Sequence, residues 1–464
     1  MNSDFLRRPL TTTEKLNFKE IPAWVTQAVV FLRENQKMVY LVGGAVRDLI
    51  WGSTPSDWDL ATDALPDEIE KIFPKTLPTG KRFGTITIFS AGQPIQITTI
   101  REDFPYSDGR RPDQVLFGSD IVKDLARRDF TINAMAYDFE TQALIDPFNG
   151  RADCYRRLLK AVGNPRDRFR EDGLRMFRFY RFLASHSLAA ERKTEGAINP
   201  EWAKFVSYER IRDEFSKLLL GASIRKGLAG LAKSGLLLEL IPEFYSADKA
   251  QSRLYSYLRE HSFSAAAAIQ RLLPLRLAAL LHDIAKPASL TITKTGPHFY
   301  GHERAGAEMS RVILERLRYP KKLIQKVSLL INGHMFFYQP NISDSAVRRL
   351  ISNIGPENIP DLLELRRADI IATGKINPKT LEHWKDLSQR VLAVLRSKSE
   401  SKNGSKLAIN GADLIEKLGV KPGPLMGEIL SYLNEQIIEE PDLNQENRLL
   451  EITRQYLDSK NLRD

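Results

Sequence analysis

A single cysteine, Cys154, is present among the 464 residues, so the chain cannot form an intramolecular disulfide bond. No apolar run is long enough to cross a bilayer, and the opening sequence MNSDFLRRPLTTTEKLNF lacks the apolar stretch of a secretion signal. A repeat of fixed period and a long low-complexity tract are also missing. These absences argue against a disulfide-rich secreted domain, a membrane protein and a solenoid. They predict a cytoplasmic protein with no membrane partner.

Positive charge is in excess and is concentrated in one segment. The formal net charge is +10, from 68 Lys and Arg against 58 Asp and Glu. Residues 151–182 hold ten basic and four acidic side chains, whereas residues 401–464 hold eight basic and eleven acidic ones. Such an excess favours a polyanionic partner, and its distribution assigns the contact to the segment after residue 150.

The chain is too long for one hydrophobic core, and its pattern changes part-way along. Helical periodicity dominates from Cys154 to the C-terminus, and the segment SKSESKNGS at Ser397–Ser405 has the composition of a linker. Strand patterns occur only before that point, at Met38–Val42, Thr85–Phe89, Ile95–Thr99 and around Ala134–Phe139. The predicted fold class is therefore α+β, an α/β head followed by a long helical body.

Two neighbouring motifs in the head carry ionic chemistry. The run LVGGAVRD passes from a strand to a helix through Gly43 and Gly44, which let backbone N–H groups approach an anion, and Arg47 follows. In SDWDL, Asp57 and Asp59 would share one face of a strand, because side chains alternate. Adjacent carboxylates repel each other unless a divalent cation binds them. The pair is either an exposed surface pair or a Mg²⁺ site for nucleotide chemistry, and the glycine turn favours the second.

A second motif, REDGLRMFRFYR at residues 170–181, offers a way to recognise bases. On one helix, Asp172, Arg175, Arg178 and Arg181 would form a single ridge. Cytosine and adenine present an amino donor beside a ring-nitrogen acceptor, whereas guanine and uracil present a carbonyl beside an N–H donor. Because a carboxylate only accepts and a guanidinium only donates, Asp172 with Arg175 matches cytosine and adenine. The alternative is an ion pair within the helix on a solvated face.

Histidines cluster in the helical body. Six of the seven lie between His261 and His383. The adjacent pair His282 and Asp283, in LLHDIAKP, can bind one metal only with ligands from other helices. Such residue types suit a divalent transition metal. The available partners are His261, His302, His334 and Asp369.

The head motifs together resemble a known family. GGAVRD followed by SDWDLATDA is similar to the signature of the class II tRNA nucleotidyltransferase and bacterial poly(A) polymerase family. The similarity continues in the family's order through REDFPYSDGRRPDQVLF, DLARRDFTINAMAYD and DPFNGRADC. LLHDIAKP resembles the core of the HD phosphohydrolases, and LAINGADLIEKLGVKPGPLMGEIL resembles the small helical tail of bacterial CCA-adding enzymes.

The resemblance implies four regions. A nucleotidyltransferase head is expected at residues 1–150, and a helical neck with a nucleotide template and RNA binding at 151–240. An HD-type body is expected at 241–396, and a small tRNA-binding tail at 405–464. In the body, the metal site either supports hydrolysis or is a structural relic.

The resemblance also implies residue roles. The catalytic carboxylates that bind Mg²⁺ would be Asp57 and Asp59. The positions that bind the nucleotide would be Gly44, Arg47, Arg128, Asn133, Asp172, Arg175, Arg178 and Arg181. Of these, Asp172 with Arg175 would select the base, and Arg178 with Arg181 would serve the phosphates. Arg127 and Asp129 would either form ion pairs that hold their motif or contact the nucleotide. The segment Arg101–Arg111 resembles the family's mobile loop, and residues 208–215 resemble a later motif that braces the template helix.

The implied reaction is template-independent addition of CCA to the tRNA 3′ end from CTP and ATP, with release of pyrophosphate. The partners are then the tRNA 3′ end and the two nucleotides, and no protein partner is implied. Three related alternatives share the chemistry, namely an enzyme adding only A, one adding only CC, and a poly(A) polymerase. The loop argues against CC alone. An alternative from another class is a phosphohydrolase that acts on RNA 3′ phosphates through the HD-type body.

Overall fold

The computed structural model describes residues 21–103, 115–246, 252–294, 296–336, 339, 342–374, 377–400 and 407–460. Most of the predicted mobile loop at Arg101–Arg111 lies outside the described residues. The chain forms two units. Unit 1 consists of Met1–Lys249 and Ile313–Tyr319, and unit 2 consists of Ala250–Val312 and Pro320–Asp464. The four regions expected from the sequence divide these units more finely and remain a prediction.

Unit 1 contains eleven of the strands in the described residues. They are β1 (Val39–Val42), β2 (Asp59–Thr62), β3 (Thr76–Gly80), β4 (Thr85–Ser90), β5 (Gln93–Thr99), β6 (Arg101–Asp103), β7 (Val115–Phe117), β8 (Ala136–Asp138), β9 (Ala143–Ile145), β10 (Leu158–Leu159) and β11 (Ala189–Ala190). Its helices are α1 (Ala23–Glu34), α2 (Gly44–Ile50), α3 (Pro66–Ile72), α4 (Ile121–Ala126), α5 (Gly150–Tyr155), α6 (Pro165–Glu171), α7 (Leu174–His186), α8 (Arg192–Gly196), α9 (Tyr208–Leu219), α10 (Ile224–Ser234) and α11 (Leu236–Leu240).

Seven strands form one sheet in the order β3-β4-β5-β2-β1-β8-β9. Only β2 and β5 are parallel neighbours, and the other pairs are antiparallel. The last residue of β1, Val42, lies opposite Asp59 on one side and Ala136 on the other. This register brings the start of β2 beside the glycine turn that follows β1. Buried apolar residues from these strands and from α4 hold the register.

Unit 2 is almost entirely helical. Its helices are α12 (Ser252–Ala268), α13 (Leu273–Leu281), α14 (His302–Arg316), α15 (Lys321–Gly333), α16 (Asp344–Ile354), α17 (Ile359–Ala372), α18 (Pro378–Glu400), α19 (Gly411–Leu418), α20 (Pro424–Glu439) and α21 (Glu446–Ser459). The last four residues of α14 belong to unit 1. A short hairpin joins β12 (Thr291–Thr293) to β13 (Gly296–His298). The last three helices share a hydrophobic cluster that includes Leu414, Leu433 and Leu449. Among the described residues, no helix has both the length and the apolar character needed to cross a bilayer.

The predicted α+β class is confirmed, and the predicted strands correspond to β1, β4, β5 and β8. The prediction that no strands occur after Cys154 is wrong, because β10 to β13 lie in that part of the chain. In the hairpin of unit 2, Ile292 is 73% exposed, so the pairing depends on backbone hydrogen bonds and leaves no buried alternation to detect. The predicted linker at Ser397–Ser405 also begins too early, since α18 continues to Glu400.

A tight contact separates α6 from α7. A Cβ atom added to Gly173 would lie 2.3 Å from the backbone oxygen of Trp202. Trp202 belongs to a 3₁₀ helix at Pro200–Phe205, and its carbonyl belongs to backbone that cannot move aside cheaply. The close approach therefore requires glycine at position 173.

We expect Gly173→Ala to lower the free energy of unfolding by about 1–3 kcal/mol, because the new methyl group overpacks this contact. Urea unfolding of the whole chain would measure the change. The matched control is Gly196→Ala at the end of α8, where an added Cβ atom meets nothing within 4 Å. Equal stability of the two variants would show that the contact with Trp202 is not restrictive.

Candidate functional site

A charged cavity of about 620 Å³ opens in unit 1. This volume is in the range of small-molecule and cofactor pockets. Every residue that the sequence analysis assigned to nucleotide chemistry lines it. They are Gly44, Arg47, Asp57, Asp59, Arg128, Asn133, Asp172, Arg175, Arg178 and Arg181. Four segments of the sequence are thus brought together at one place.

The two carboxylates of SDWDL lie at the edge of the sheet. β2 begins at Asp59, so Asp57 precedes the strand and is exposed, whereas Asp59 is half-buried. The expectation that both would alternate within one strand is therefore wrong, although both face the cavity. Burial raises the pKa of Asp59, the nearby Asp57 raises it further, and Arg128 opposes both. Oxygen donors whose charges repel in this way fit a divalent cation such as Mg²⁺.

The glycine turn makes room for an arginine. Gly43 has φ +72°, and a Cβ atom there would lie 2.9 Å from Nη1 of Arg128 and 3.7 Å from Oδ2 of Asp59. Gly43 therefore carries the steric constraint of this turn, and Gly44, predicted to bind the nucleotide, is the first residue of α2. Arg128 is also held by Asp124, whose Oδ2 accepts from Nη2 at 3.1 Å.

A chain of buried polar contacts runs from α2 to α7. Arg47 donates from Nη1 to Oδ1 of Asn133 at 2.6 Å, and Nδ2 of Asn133 donates to Oδ1 of Asp129 at 3.1 Å. Arg178 donates from Nε to Oδ2 of Asp129 at 2.8 Å. Burial opposes ionisation of Asp129, but Arg178 and Asn133 outweigh it and lower the pKa to about 2. Asp129 is therefore an anion that binds Arg178 directly and is linked to Arg47 through Asn133.

α9 continues the same chain. Its Glu214 is 6% exposed and accepts from Nη1 of Arg178 at 3.4 Å and from Nε of Arg181 at 2.8 Å. The guanidinium of Arg181 also stacks 3.7 Å from the centre of the Phe182 ring. Burial and the neighbouring Arg178 lower the pKa of Arg181. Both arginines are thus fixed by acids before any anion reaches the cavity.

The predicted base-selecting pair is held in place by other side chains. Asp172 is an extended residue between α6 and α7, so the expectation that it begins a helical ridge is wrong. Its two oxygens accept from Nη1 and Nη2 of Arg210 at 3.2 and 2.8 Å. Arg175 is 9% exposed and donates from Nη1 to Glu171 at 2.8 Å, a contact with α6 rather than a solvated ion pair. Both side chains nevertheless reach the cavity.

Three aromatic rings lie behind the arginines. His186 stacks on Phe182 with ring centres 5.6 Å apart, and its ring centre lies 5.1 Å from that of Trp51. Arg47 lies over both Trp51 and Phe182 at 5.2 and 5.4 Å. Burial lowers the pKa of His186 to about 4, and the cations Arg47, Arg181 and Arg157 contribute to the shift. At neutral pH this imidazole is uncharged and adds no repulsion to the arginine cluster.

A separate group of ligand atoms lies in unit 2. His261 lies on α12 and Asp369 on α17, while His282 and Asp283 directly follow α13. His302 starts α14 and His334 follows α15. The four histidines and Asp283 are each at most 7% exposed. The predicted set of six is therefore brought together from five helices.

The histidine rings of this group point their Nε2 atoms at Asp283. Its Oδ2 lies 3.4 Å from His261 and 3.3 Å from His282, and its Oδ1 lies 3.5 Å from His302 and 3.7 Å from His334. Within the described part of the chain, Nε2 of His302 and of His334 has no hydrogen-bond partner. Unpartnered buried nitrogens beside a carboxylate fit a metal ion.

Comparison with known proteins identifies the family. The family model described as Poly A polymerase head domain matches residues 39–160, and that of tRNA nucleotidyltransferase domain 2 matches residues 304–453. A CCA-adding enzyme of Lactobacillus delbrueckii subsp. bulgaricus is 33% identical over 418 residues, which is 89% of this chain and 93% of the relative. The chain belongs to the CCA-adding enzyme family.

Other members of the CCA-adding enzyme family agree. The Geobacillus stearothermophilus enzyme is 31% identical over 420 residues, covering 90% of this chain and 93% of that protein. The crystal structure of the Bacillus stearothermophilus CCA-adding enzyme in complex with CTP has a TM-score of 0.72 and 28% identity, with coverage of 95% and 99%. A further family model, for an RNA and SrmB binding site of polymerase A, matches residues 201–247.

Two side chains that bind charged residues of the cavity were not assigned to the site from the sequence. Arg210 and Glu214 were placed in a bracing motif, yet each contacts a charged residue of the cavity of this CCA-adding enzyme family member. They lie four residues apart, which puts them on one face of a helix. That spacing is the signal that could have found them. Their partners could not be read from the sequence, because the contacts are tertiary.

We expect His186→Phe to keep its stacking and to remove part of the acid sensitivity of folding. The unfolded imidazole titrates near 6.5, whereas the folded one stays neutral until about pH 4. Between these values the unfolded chain binds more protons, so stability falls as the pH falls.

Urea unfolding at pH 7.5 and pH 4.5 would show the effect as a smaller stability difference in the variant. We expect the loss of unfolding free energy between the two pH values to be about 1–2 kcal/mol smaller in the variant than in the wild type. This is less than the whole pKa shift of His186 would give, because the ring is partly exposed. An equal loss of stability in both proteins would show that His186 does not carry this linkage.

Proposed function

We propose that this member of the CCA-adding enzyme family adds CCA to the 3′ end of tRNA from CTP and ATP and releases pyrophosphate. The observation that carries the proposal is the convergence of two carboxylates, a glycine turn, the arginines and the Asp172–Arg175 pair on one cavity. The identity with curated CCA-adding enzymes over nearly the whole chain supports it.

Asp57 and Asp59 are the proposed ligands of Mg²⁺. The burial and mutual repulsion that raise the pKa of Asp59 are relieved by a cation between the carboxylates. When bound, Mg²⁺ activates the attacking 3′-hydroxyl and stabilises the leaving pyrophosphate. The chain itself contributes the positions of the reacting groups for in-line attack on the α-phosphate.

The cationic wall is the proposed triphosphate site. Arg128 lies against Gly43 beside Asp59. Arg47 lines the cavity from α2, and its hydrogen bond to Asn133 holds it there. Arg178 and Arg181 face the same space from α7. Because acids already fix these guanidinium groups, little reorganisation is needed when the nucleotide binds. The family resemblance implies that Asn133 contacts the sugar, and its bonds to Arg47 and Asp129 hold the side chain at the cavity.

Asp172 and Arg175 are the proposed template. A carboxylate accepts the amino proton of cytosine or adenine, and the guanidinium donates to the adjacent ring nitrogen. Uracil and guanine would place a carbonyl against the carboxylate, at a cost on the order of 1–3 kcal/mol for each unpaired buried group.

The basic segment 151–182 is the proposed contact for the tRNA acceptor end. The acidic tail at 405–464 is proposed to bind the tRNA elbow by shape complementarity rather than by charge. We place the reaction in the cytoplasm, where a buried, unpaired Cys154 is stable. An enzyme adding only A or only CC, and a poly(A) polymerase, remain the alternatives for the same cavity.

We expect the purified protein with Mg²⁺ to add three nucleotides to tRNA lacking CCA and then stop, while sparing an unstructured RNA. Asp57→Ala should abolish incorporation of both CTP and ATP, because the cation loses a ligand. Product length on gels, with single and mixed nucleotides, measures both. Asp67→Ala, an exposed carboxylate on α3, is the matched control and should retain activity. Addition to tRNA ending in CC alone would indicate an A-adding enzyme, and long A tails a poly(A) polymerase.

A second site is favoured by the six residues gathered in unit 2. We propose that His261, His282, Asp283, His302, His334 and Asp369 bind a divalent transition metal. The Nδ1 atoms of His282, His302 and His334 lie within 3 Å of backbone carbonyls, which leaves each Nε2 as the ligand atom. The metal would support hydrolysis of RNA 3′ phosphates or serve only to stabilise the body.

We expect the purified protein to hold a transition metal and the double variant His282→Ala with Asp283→Ala to lose it. The cause would be the loss of two buried ligands from the centre. Inductively coupled plasma mass spectrometry on equal amounts of protein gives the content. His298→Ala, a histidine outside the group, should keep the metal. Unchanged metal in the double variant would contradict the site.

A further inference from the structure

The carboxylate of Asp172 is oriented from another helix. Asp172 has φ −148° and ψ 104°, so it belongs to neither α6 nor α7. Arg210, in the first turn of α9, binds both of its oxygens. Both side chains are mostly buried, with 15% of Asp172 and 28% of Arg210 exposed. A two-bond contact between a planar guanidinium and a carboxylate fixes orientation as well as distance.

Counting acceptor positions shows what this contact leaves available. A carboxylate has about four lone-pair positions. Among the described residues, Arg210 occupies one on each oxygen, and the backbone N–H of Leu174 occupies another on Oδ1 at 3.1 Å. One position on Oδ2 remains, and it accepts one N–H group. That is the number of amino protons that cytosine or adenine offers to a single acceptor at its pairing edge.

Arg175 is restricted in the same manner. Its Nη1 donates to the backbone oxygen of Arg168 at 3.2 Å and to Glu171 at 2.8 Å, and its Nη2 donates to the backbone oxygen of Arg127 at 3.0 Å. Within the described structure, this leaves the Nε–H and one Nη2–H as donors. The pair therefore presents one fixed acceptor on Asp172 beside two fixed donors on Arg175.

We infer that Arg210 is a positioning residue for base selection, which acts by fixing the single open acceptor of Asp172. This inference rests on the proposed template function of Asp172 and Arg175. Without Arg210, the carboxylate rotates about its Cβ–Cγ bond and regains acceptor positions in other directions. It then accepts the ring N–H of uracil or guanine as readily as an amino group. The selection against UTP and GTP weakens, although Asp172 itself is intact.

The test compares base selectivity in Arg210→Met and Arg210→Lys. Steady-state kcat/KM is measured for CTP and UTP on tRNA lacking CCA, and for ATP and GTP on tRNA ending in CC. We expect the CTP to UTP and ATP to GTP ratios to fall about tenfold or more in Arg210→Met, from the loss of an oriented hydrogen bond. Both ratios should also fall in Arg210→Lys, because an ammonium group cannot bind both oxygens of the carboxylate.

Two controls separate positioning from general structure. Arg212→Met removes an arginine on the same helix whose partners are Asp213 and the backbone of Arg318, and it should keep the wild-type ratios. In a double variant, Arg210→Met should lower the ratios no further than Asp172→Asn alone, because Arg210 acts through Asp172. A merely structural role would lower activity without this coupling.

The outcomes separate the role of Arg210 from the template role of Asp172 and Arg175. If Asp172→Asn loses selectivity while folded Arg210→Met keeps it, the inference about Arg210 is overturned and the template stands. If Asp172→Asn also keeps selectivity, the template itself is wrong. Should Arg210→Met fail to fold, Arg210→Lys decides, and wild-type ratios in that variant would overturn the inference.

Discussion

The ion pair between Asp129 and Arg178 is the contact on which unit 1 depends. Asp129 is 8% exposed, so its charge is removed from water and must be compensated inside the protein. Arg178 supplies that compensation from α7, while Asn133 extends the contact to Arg47 on α2. The strand-rich part of the chain and the first long helix after it are thereby joined through one buried charge. Removal of Arg178 would leave the buried carboxylate of Asp129 without its ion pair, whereas removal of Asp129 would leave Arg178 with Glu214 alone.

Three charged residues that line the cavity are each held by an oppositely charged side chain. Asp124 holds Arg128, Glu171 holds Arg175 and Arg210 holds Asp172. The group in unit 2 differs, because ring nitrogens of its histidines are buried and have no hydrogen-bond partner in the described residues. The first arrangement suits a ligand that comes and goes and contacts prepared side chains. The second suits a ligand that stays.

Much of the cavity could be predicted because its chemistry is carried by short motifs. Asp57, Asp59 and the glycine turn lie within seventeen residues of one another, and the family resemblance placed Arg128 and Asn133 beside them. The helical conformation predicted for Asp172 was wrong because the break before α7 depends on the contact of Gly173 with the carbonyl of Trp202, 29 residues later. The pairing of Glu214 with Arg178 and Arg181 was beyond sequence reasoning for a similar reason. Residue types could be assigned to a site, whereas the partners that orient them depend on tertiary packing.

The histidines of unit 2 share a local geometry that constrains how this protein can vary. His282 and His334 each follow the last residue of a helix, and His302 is the first residue of one. In all three, Nδ1 contacts the carbonyl three residues earlier in the chain. The orientation of each ring is thus fixed by the backbone at a helix terminus. One residue inserted or deleted within any of these turns would rotate its ring by about 100°. Insertions and deletions are therefore expected to accumulate elsewhere in the body, so the lengths of α13 and α15 should stay constant among relatives that keep the histidines.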